Sequence, residues 1–412
     1  MPQTISEKIF SKKIGKKASA GEIVKVDIDT IMSHDSTTPL AIEAFEQMNA
    51  GKIHSEKMVF VFDHVFPASN VNAAELHKRI SYFALKHKVK LFPGNGISHQ
   101  ILPEQGLIAP WDVVIGADSH SCTYGAFGAF GTGMGSTDIA VAWATGKNWF
   151  KVPETIRIKV SRKLKKGVFA KDLMLSIASS LKEKEVNYKA LEFCGETIDG
   201  FSISERMTLS NMAVECNAKA GLIPADKKTI DFLNSRTNRP LKEIAADAGA
   251  EYFDSLTIDA SLVEPLVSVP HQVSSIKPVS EVDVPHVDQV FIGSCTNGRL
   301  DDLRIAASVL KGKKVNAGTR LIVTPASQEI YLQAVKEGII GNLISAGAVI
   351  GNSGCGPCLG RQQGALAENE ICVSTMNRNF MGRMGAHSSK IYLVSPYTAA
   401  FTAVKGRLAW SD

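Results

Sequence analysis

Three cysteines stand where a metal site would want them: Cys295 in Phe-Ile-Gly-Ser-Cys-Thr-Asn, then Cys355 and Cys358 in Gly351-Asn-Ser-Gly-Cys-Gly-Pro-Cys-Leu-Gly360. A structural zinc or an electron-transfer cluster closes its coordination with four protein ligands, whereas three thiolates leave a position for water or substrate. The glycines around the pair let main-chain amides approach the sulfur atoms, which tunes a cluster. A lone C-x-x-C also fits a redox dithiol or half of a zinc knuckle. Zinc would need a second pair and a redox dithiol no third cysteine, so spacing alone leaves three readings.

Acid and imidazole groups recur at the ends of apolar runs: His34-Asp35, Asp63-His64, His99 and Asp118-Ser119-His120. One such pair is usually accidental, and a single histidine is more often a surface or core residue. Their recurrence at equivalent places is the signal, because imidazole titrates near neutrality and a carboxylate fixes its tautomer, so together they can position bound water or move protons. The run Asn377-Arg378-Asn-Phe-Met-Gly-Arg383 offers two guanidinium groups across a turn, suited to holding a carboxylate bidentately; a surface turn paired with Asp or Glu is the plain alternative. Glycines at 125, 128, 131, 133 and 135 suggest a phosphate cradle, but the dinucleotide pattern is imperfect.

Short apolar runs alternating with longer amphipathic ones predict an α/β architecture with much parallel pairing to position these groups. In the first third, 58–62 and 113–116 read as strands and 71–88 as a helix. In the last third, strands at 290–292, 321–323, 348–350, 371–373 and 391–394 alternate with helices at 300–310 and 328–336. Cys295 and the Cys355/Cys358 pair fall just past strand ends, where ligand crevices form in open parallel sheets. The middle third opens with a half-exposed strand at 155–160 and continues with helices near 172–181 and 209–220. Pro270, Pro278 and Pro285 mark 267–287 as a linker. Expected units are 1–153, 154–284 and 285–412.

With 412 residues, 44% hydrophobic and 21% charged, the chain has material for two or three globular cores. A net charge of +5, spread over short lysine groups, excludes a dense nucleic-acid footprint and suits a small anionic substrate. No apolar run approaches the ~18 residues of a membrane span, and the start lacks a secretory core, so no membrane is expected and the location is read as cytoplasmic. The basic stretch 8–17 reads as a surface helix. Seven cysteines in a chain this long do not make a disulfide framework; Cys122, Cys194, Cys216 and Cys372 lack ligand spacing and read as buried small hydrophobes.

Taken in order, Asp63-His-Val-Phe-Pro67, Gly116-Ala-Asp-Ser-His-Ser-Cys-Thr-Tyr-Gly125, Gly293-Ser-Cys-Thr-Asn-Gly298, Gly354-Cys-Gly-Pro-Cys-Leu-Gly360 and Asn377-Arg-Asn-Phe-Met-Gly-Arg383 make the chain similar to the aconitase superfamily. Within it, the chain resembles the large subunits of isopropylmalate dehydratases and homoaconitases, essentially over its whole length. The resemblance implies three α/β/α domains around a cluster-containing cleft, with the swivelling fourth domain absent. It implies a [4Fe-4S] cluster on Cys295, Cys355 and Cys358 whose fourth iron, free of protein thiolate, activates the substrate hydroxyl for loss and re-addition of water. By motif position it makes Asp63, His64, His99, Asp118, His120 and Glu215 the catalytic set. His34, Ser119, Asn211, Asn377, Arg378 and Arg383 become the substrate-binding set, with Asn211 and Glu215 on the helix expected over 209–220.

His34 stands where aconitases proper carry Gln, which points to the dehydratase branch. The sequence stops at Asp412 without length for the swivelling domain, so the resemblance further implies a small partner subunit supplying it, in a heterodimer or heterotetramer. The expected reaction is isomerisation of 2- and 3-isopropylmalate, small hydroxy acids, in leucine synthesis. Homoaconitase or dimethylmalate-type dehydratase chemistry is the alternative. A non-catalytic iron–sulfur sensor or RNA-binding relative need not retain Asp63, His64, Asp118, His120 and Glu215 together. A four-thiolate electron carrier would need one of Cys122, Cys194, Cys216 or Cys372 as a ligand.

Overall fold

Buried apolar runs too short for helices pair side by side, and three sheets built this way carry the site. The computed structural model describes residues 2–411, with Met1 and Asp412 outside the described residues. The first sheet is parallel and runs in the order Lys90–Pro93, Met58–Phe62, Thr30–His34, Val113–Gly116, Phe130–Gly133. Its three central strands are buried along their whole length, as a sheet covered on both faces requires. Alternate residues of Met58–Phe62 feed opposite cores: Phe60 packs with Phe45, Phe83 and Trp143, whereas Val59 and Val61 pack with Leu102, Tyr124 and Phe127.

The second sheet, also parallel, runs Ala220–Leu222, Ala190–Cys194, Thr155–Ser161, Asp254–Asp259. Thr155–Ser161 shows the alternating burial expected of a half-exposed strand. The third sheet runs Ile276–Pro278, Leu266–Ser268, Lys390–Leu393, Ile371–Ser374, Gln289–Ile292, Arg320–Val323, Val349–Ile350. Helices Leu300–Leu310 and Gln328–Lys336 flank it with the bounds that the sequence predicts. A capping box of Thr4 with Glu7 starts the basic N-terminal helix Ile5–Ile14, and Gly15 at φ 69 ends it. No helix of the described residues is long and apolar enough to cross a membrane.

Three expectations change. The stretch 267–287 is not a plain linker: Leu266–Ser268 and Ile276–Pro278 form an antiparallel hairpin on the edge of the third sheet, ahead of the boundary expected near 284. Edge positions tolerate the prolines because one side of the strand needs no ladder donors. The helix expected over 209–220 is Ile203–Met212, followed by a 3₁₀ turn Ala213–Cys216 that closes on Asn217 at φ 63, and Ala220 already opens a strand. Cys194 is half-exposed rather than buried, at the last position of its strand, whereas Cys122, Cys216 and Cys372 are buried.

Candidate active site

Parallel strands deliver their C-terminal residues to one side of a sheet, and each acid or imidazole motif sits there. His34 is the last residue of its strand, Asp63-His64 follows Met58–Phe62, and Asp118-Ser119-His120 follows Val113–Gly116. His99 rides the buried helix Ser98–Glu104 beyond Lys90–Pro93. From the third sheet, Cys295 follows Gln289–Ile292 by way of Ser294, which is held at φ 71, and Asn377-Arg378 follows Ile371–Ser374. These groups converge on one cavity of about 330 Å³, lined by His34, His64, His99, Asp118, Ser119, His120, Cys295, Cys355, Cys358, Asn377, Arg378 and Arg383.

Asp63, Asn211 and Glu215 do not line it; they stand behind its wall and aim the residues that do. Asp63 accepts His64 Nδ1 at 2.6 Å and the Ser98 amide at 2.8 Å. Asn211 donates to Thr123 Oγ1 at 2.8 Å and accepts Thr296 Oγ1 at 2.9 Å and Asn377 Nδ2 at 3.4 Å. Glu215 Oε1 lies 2.7 Å from both His120 Nε2 and Arg378 Nε, a bridge between the segments that follow strands of the first and third sheets. Glu215 reaches this position from the 3₁₀ turn rather than from a helix face, as the corrected element boundaries require.

The electrostatics separate acids from donors. Burial works against charge on Asp118, but His99 and His120 overcome it and hold the carboxyl well below the usual range. Burial likewise opposes ionised Glu215, and His120 and Arg378 win, lowering it. A carboxylate only accepts, so the proton in the 2.7 Å contact belongs to His120 Nε2. The rings of His34 and His64 stack with centroids 3.9 Å apart, and both place Nε2 near Asp118 Oδ2, at 3.5 and 3.7 Å. For His64, burial disfavours the charged ring, but Cys355 and Asp63 raise it well above the ordinary imidazole value.

The three cysteines suit a thiolate-bound iron group. Burial pushes Cys295 up to about 12 and Cys355 well above the ordinary thiol value, so these sulfurs need a cationic partner to ionise. Donors already face the sulfurs: Asn377 Nδ2 lies 3.2 Å from Cys295 Sγ, and Arg383 Nη2 lies 3.5 Å from Cys358 Sγ. Ser353 Oγ, Asn377 Oδ1 and Arg383 Nε are buried without a partner around the same turn. Gly354, at φ +156, lets the turn approach the first sheet, where a Cβ would come within 2.9 Å of Asp63 O. Donor atoms of His34, Asp35, Asp63 and His64 also lie within 4.8 Å of one another. There, however, backbone amides of His64 and Val65 occupy Asp35 and Ser98 occupies Asp63.

Several supporting residues carry no signal in the sequence. Tyr124 OH lies 3.3 Å from His99 Nδ1. Arg299 is buried and donates to Cys295 O and Thr296 O, each at 2.6 Å, fixing the short helix under the cysteine. Lys171, with no exposed surface, donates to Thr375 O at 2.9 Å and Met376 O at 2.7 Å, immediately before Asn377. Arg361 lines the cavity beside Leu359. Asp35 was visible beside His34, but its use as an acceptor for the amides that follow Asp63 was not.

The chain is similar to known proteins along nearly its whole length. The model of the Aconitase family (aconitate hydratase) matches residues 7–285 and 277–406. The chain is 48% identical to the 3-isopropylmalate dehydratase large subunit of Sulfurihydrogenibium sp., covering 100% of this chain and 97% of that protein. It is 49% identical to the protein of that name from Wolinella succinogenes, covering 99% of each. It is 48% identical to the one from Aquifex aeolicus, covering 100% of this chain and 98% of that protein. Among solved structures, Thermococcus kodakaraensis aconitase X in its holo-form superposes with a TM-score of 0.50 at 12% identity, covering 100% of this chain and 97% of that one, which speaks to the fold alone. With family-model matches and relatives spanning nearly all its length, the chain belongs to the aconitase family.

Proposed function

We propose that this chain is the large subunit of a hydro-lyase that interconverts 2-isopropylmalate and 3-isopropylmalate, by loss and re-addition of water, in leucine biosynthesis. The observation that carries the reading is the meeting of the three cysteines, the Asp118–His120–Glu215 line and the Asn377-Arg378 turn at one cavity, in a chain whose relatives bear that name. Cys295, Cys355 and Cys358 would hold a [4Fe-4S] cluster that leaves one iron without a protein thiolate, and the group supplies Lewis-acid activation of the substrate hydroxyl when bound.

The chain's own residues do the rest. Arg378, with Asn377 and Arg383, binds a substrate carboxylate, and Arg378 keeps its free guanidinium edge toward the cavity because Nε is tied to Glu215. His120 donates Nε2–H to Glu215 behind the wall, which leaves Nδ1, 3.4 Å from Ser119 Oγ, as the ring nitrogen that can exchange a proton with a departing hydroxyl; Glu215 acts through His120. Asp118 orients His99 and His120, Asp63 orients His64, and Asn211 sets Asn377. His34 and Ser119 complete the substrate wall. All seven cysteines are free, in keeping with a reducing, cytoplasmic setting. Carbon-bound proton abstraction is assigned to a small subunit, the partner that the large-subunit names of the relatives imply.

The test is anaerobic reconstitution of the cluster in the isolated chain and in its complex with the small subunit. The complex is expected to form the unsaturated acid from isopropylmalate, seen as double-bond absorbance, and the isolated chain to be inactive. Substantial turnover by the chain alone would refute the partner assignment. Silence of the complex on isopropylmalate would refute the substrate.

A further inference from the structure

A substrate with two carboxylates asks for two anion sites, and the cavity wall carries one arginine that no other group has claimed. Arg378 is tied through Nε to Glu215, and Arg383 reaches Cys358 Sγ. Among the described residues, the Arg361 guanidinium makes no recorded hydrogen bond or ion pair; only its backbone oxygen is used, accepting Ser69 Oγ at 3.2 Å. Arg361 is itself exposed, and an exposed arginine without a partner is ordinary. It differs in lining the cavity from a loop that is pinned on both sides. Gly360, at φ +66, is packed so closely that a Cβ would come within 2.9 Å of Gly385 N, and Gln362 Nε2 donates to His64 O at 2.8 Å and Asp63 O at 3.3 Å.

The fixed root places the side chain at the border of two spaces. Arg361 lines the cavity of the three cysteines, and it also lines an adjoining cavity of about 490 Å³ with Asp35, Ser36 and His77. Ser36 is common to both. An arginine free to turn about a rigid root can meet a carboxylate with two parallel N–H donors, which an ammonium cannot match. We infer that Arg361 binds the second carboxylate of the substrate, opposite the one held by the Asn377-Arg378 turn. This assignment rests on the dehydratase reading above.

The experiment uses the cluster-loaded complex with the small subunit, as wild type, Arg361→Gln and Arg361→Lys. Cluster content is checked by visible absorbance and association of the subunits by sedimentation. Arg361→Gln is expected to raise KM for isopropylmalate about tenfold or more while kcat stays within about threefold, the signature of lost uniform binding, and Arg361→Lys is expected to recover part of the loss. Binding of isopropylsuccinate is then compared by calorimetry with binding of 4-methylpentanoate and 2,3-dimethylbutanoate, each of which lacks one of its carboxylates. The variant is expected to weaken isopropylsuccinate and one monoacid, and to leave the other monoacid unchanged. Equal weakening of all three, an unchanged KM, or a loss confined to subunit association overturns the assignment. If the wild-type complex turns over isopropylmalate while Arg361→Gln behaves identically, only this assignment falls. A wild-type complex inert toward isopropylmalate overturns both.

Discussion

Four histidines share the cavity wall, and what separates their roles is which ring nitrogen each must protonate. Asp118, held ionised, accepts His99 Nε2 at 2.9 Å and the His120 amide at 2.7 Å. His99 therefore turns its other nitrogen, Nδ1, toward Tyr124 OH. Burial pushes the Tyr124 phenol well above its usual range, so it stays a donor at any working pH. Tyr124→Phe removes the donor that fixes the His99 tautomer. In the assembled enzyme kcat is expected to fall about ten- to a hundred-fold with cluster absorbance preserved, and an unchanged kcat would remove Tyr124 from the site. The Asp118-Ser-His120 motif was legible because its three residues are neighbours in sequence. Tyr124 lies in the same run, but its role depends on a ring brought from position 99, which no local pattern encodes.

At the scale of elements, the helix Ser98–Glu104 does more than carry His99. Its last carboxyl, Glu104, accepts Gln100 Nε2 at 2.7 Å and Ser327 Oγ at 2.8 Å, and Ser327 is the N-cap of Gln328–Lys336 beside the third sheet. Burial pushes Glu104 up to about 7 from its ordinary 4.5. Between those values the folded chain keeps a proton that the unfolded chain has lost, so stability is greatest below the lower value, declines as pH rises toward the upper one, and is flat above. The loss amounts to at most about 3 kcal/mol. Glu104→Gln cannot ionise, so its Tm relative to wild type is expected to rise between about pH 5 and pH 8, as followed by scanning calorimetry; parallel pH profiles would show that Glu104 titrates normally. Helices such as Leu300–Leu310 were readable because apolar spacing and length agree. The one at Ile203–Met212 was misplaced because Met212, Ala213, Cys216 and Ala220 prolong the apolar spacing past its end. Its true start carried a local mark, the capping box of Ser202 and Glu205.

At the scale of the whole molecule, the site is only as good as the seam between its first and second sheets, and glycine sets that seam. Gly125 ends the Gly116–Gly125 motif and its carbonyl accepts the amide of Ile223, just past the edge strand Ala220–Leu222 of the second sheet, at 3.0 Å. A Cβ on Gly125 would overlap the Gly221 carbonyl, while one on Gly221 would meet Ala213 Cβ at 2.6 Å. Both obstacles are held by backbone, so neither can swing away. The segment Ser119–Phe127 carries His120 on one side of this contact, and the turn Ala213–Cys216 carries Glu215 on the other. Any widening therefore acts directly on the 2.7 Å contact between His120 and Glu215. Gly125→Ala is expected to cost about 1–3 kcal/mol of stability by overpacking. The larger effect is expected in kcat, falling at least about tenfold in cluster-loaded enzyme, since that contact fixes which group holds the proton. Gly200 has open space around it and serves as the control: Gly200→Ala should leave kcat unchanged. Equal kcat in the two variants would mean that the two sheets approach one another with slack, and that the His120–Glu215 contact does not depend on glycine at the seam.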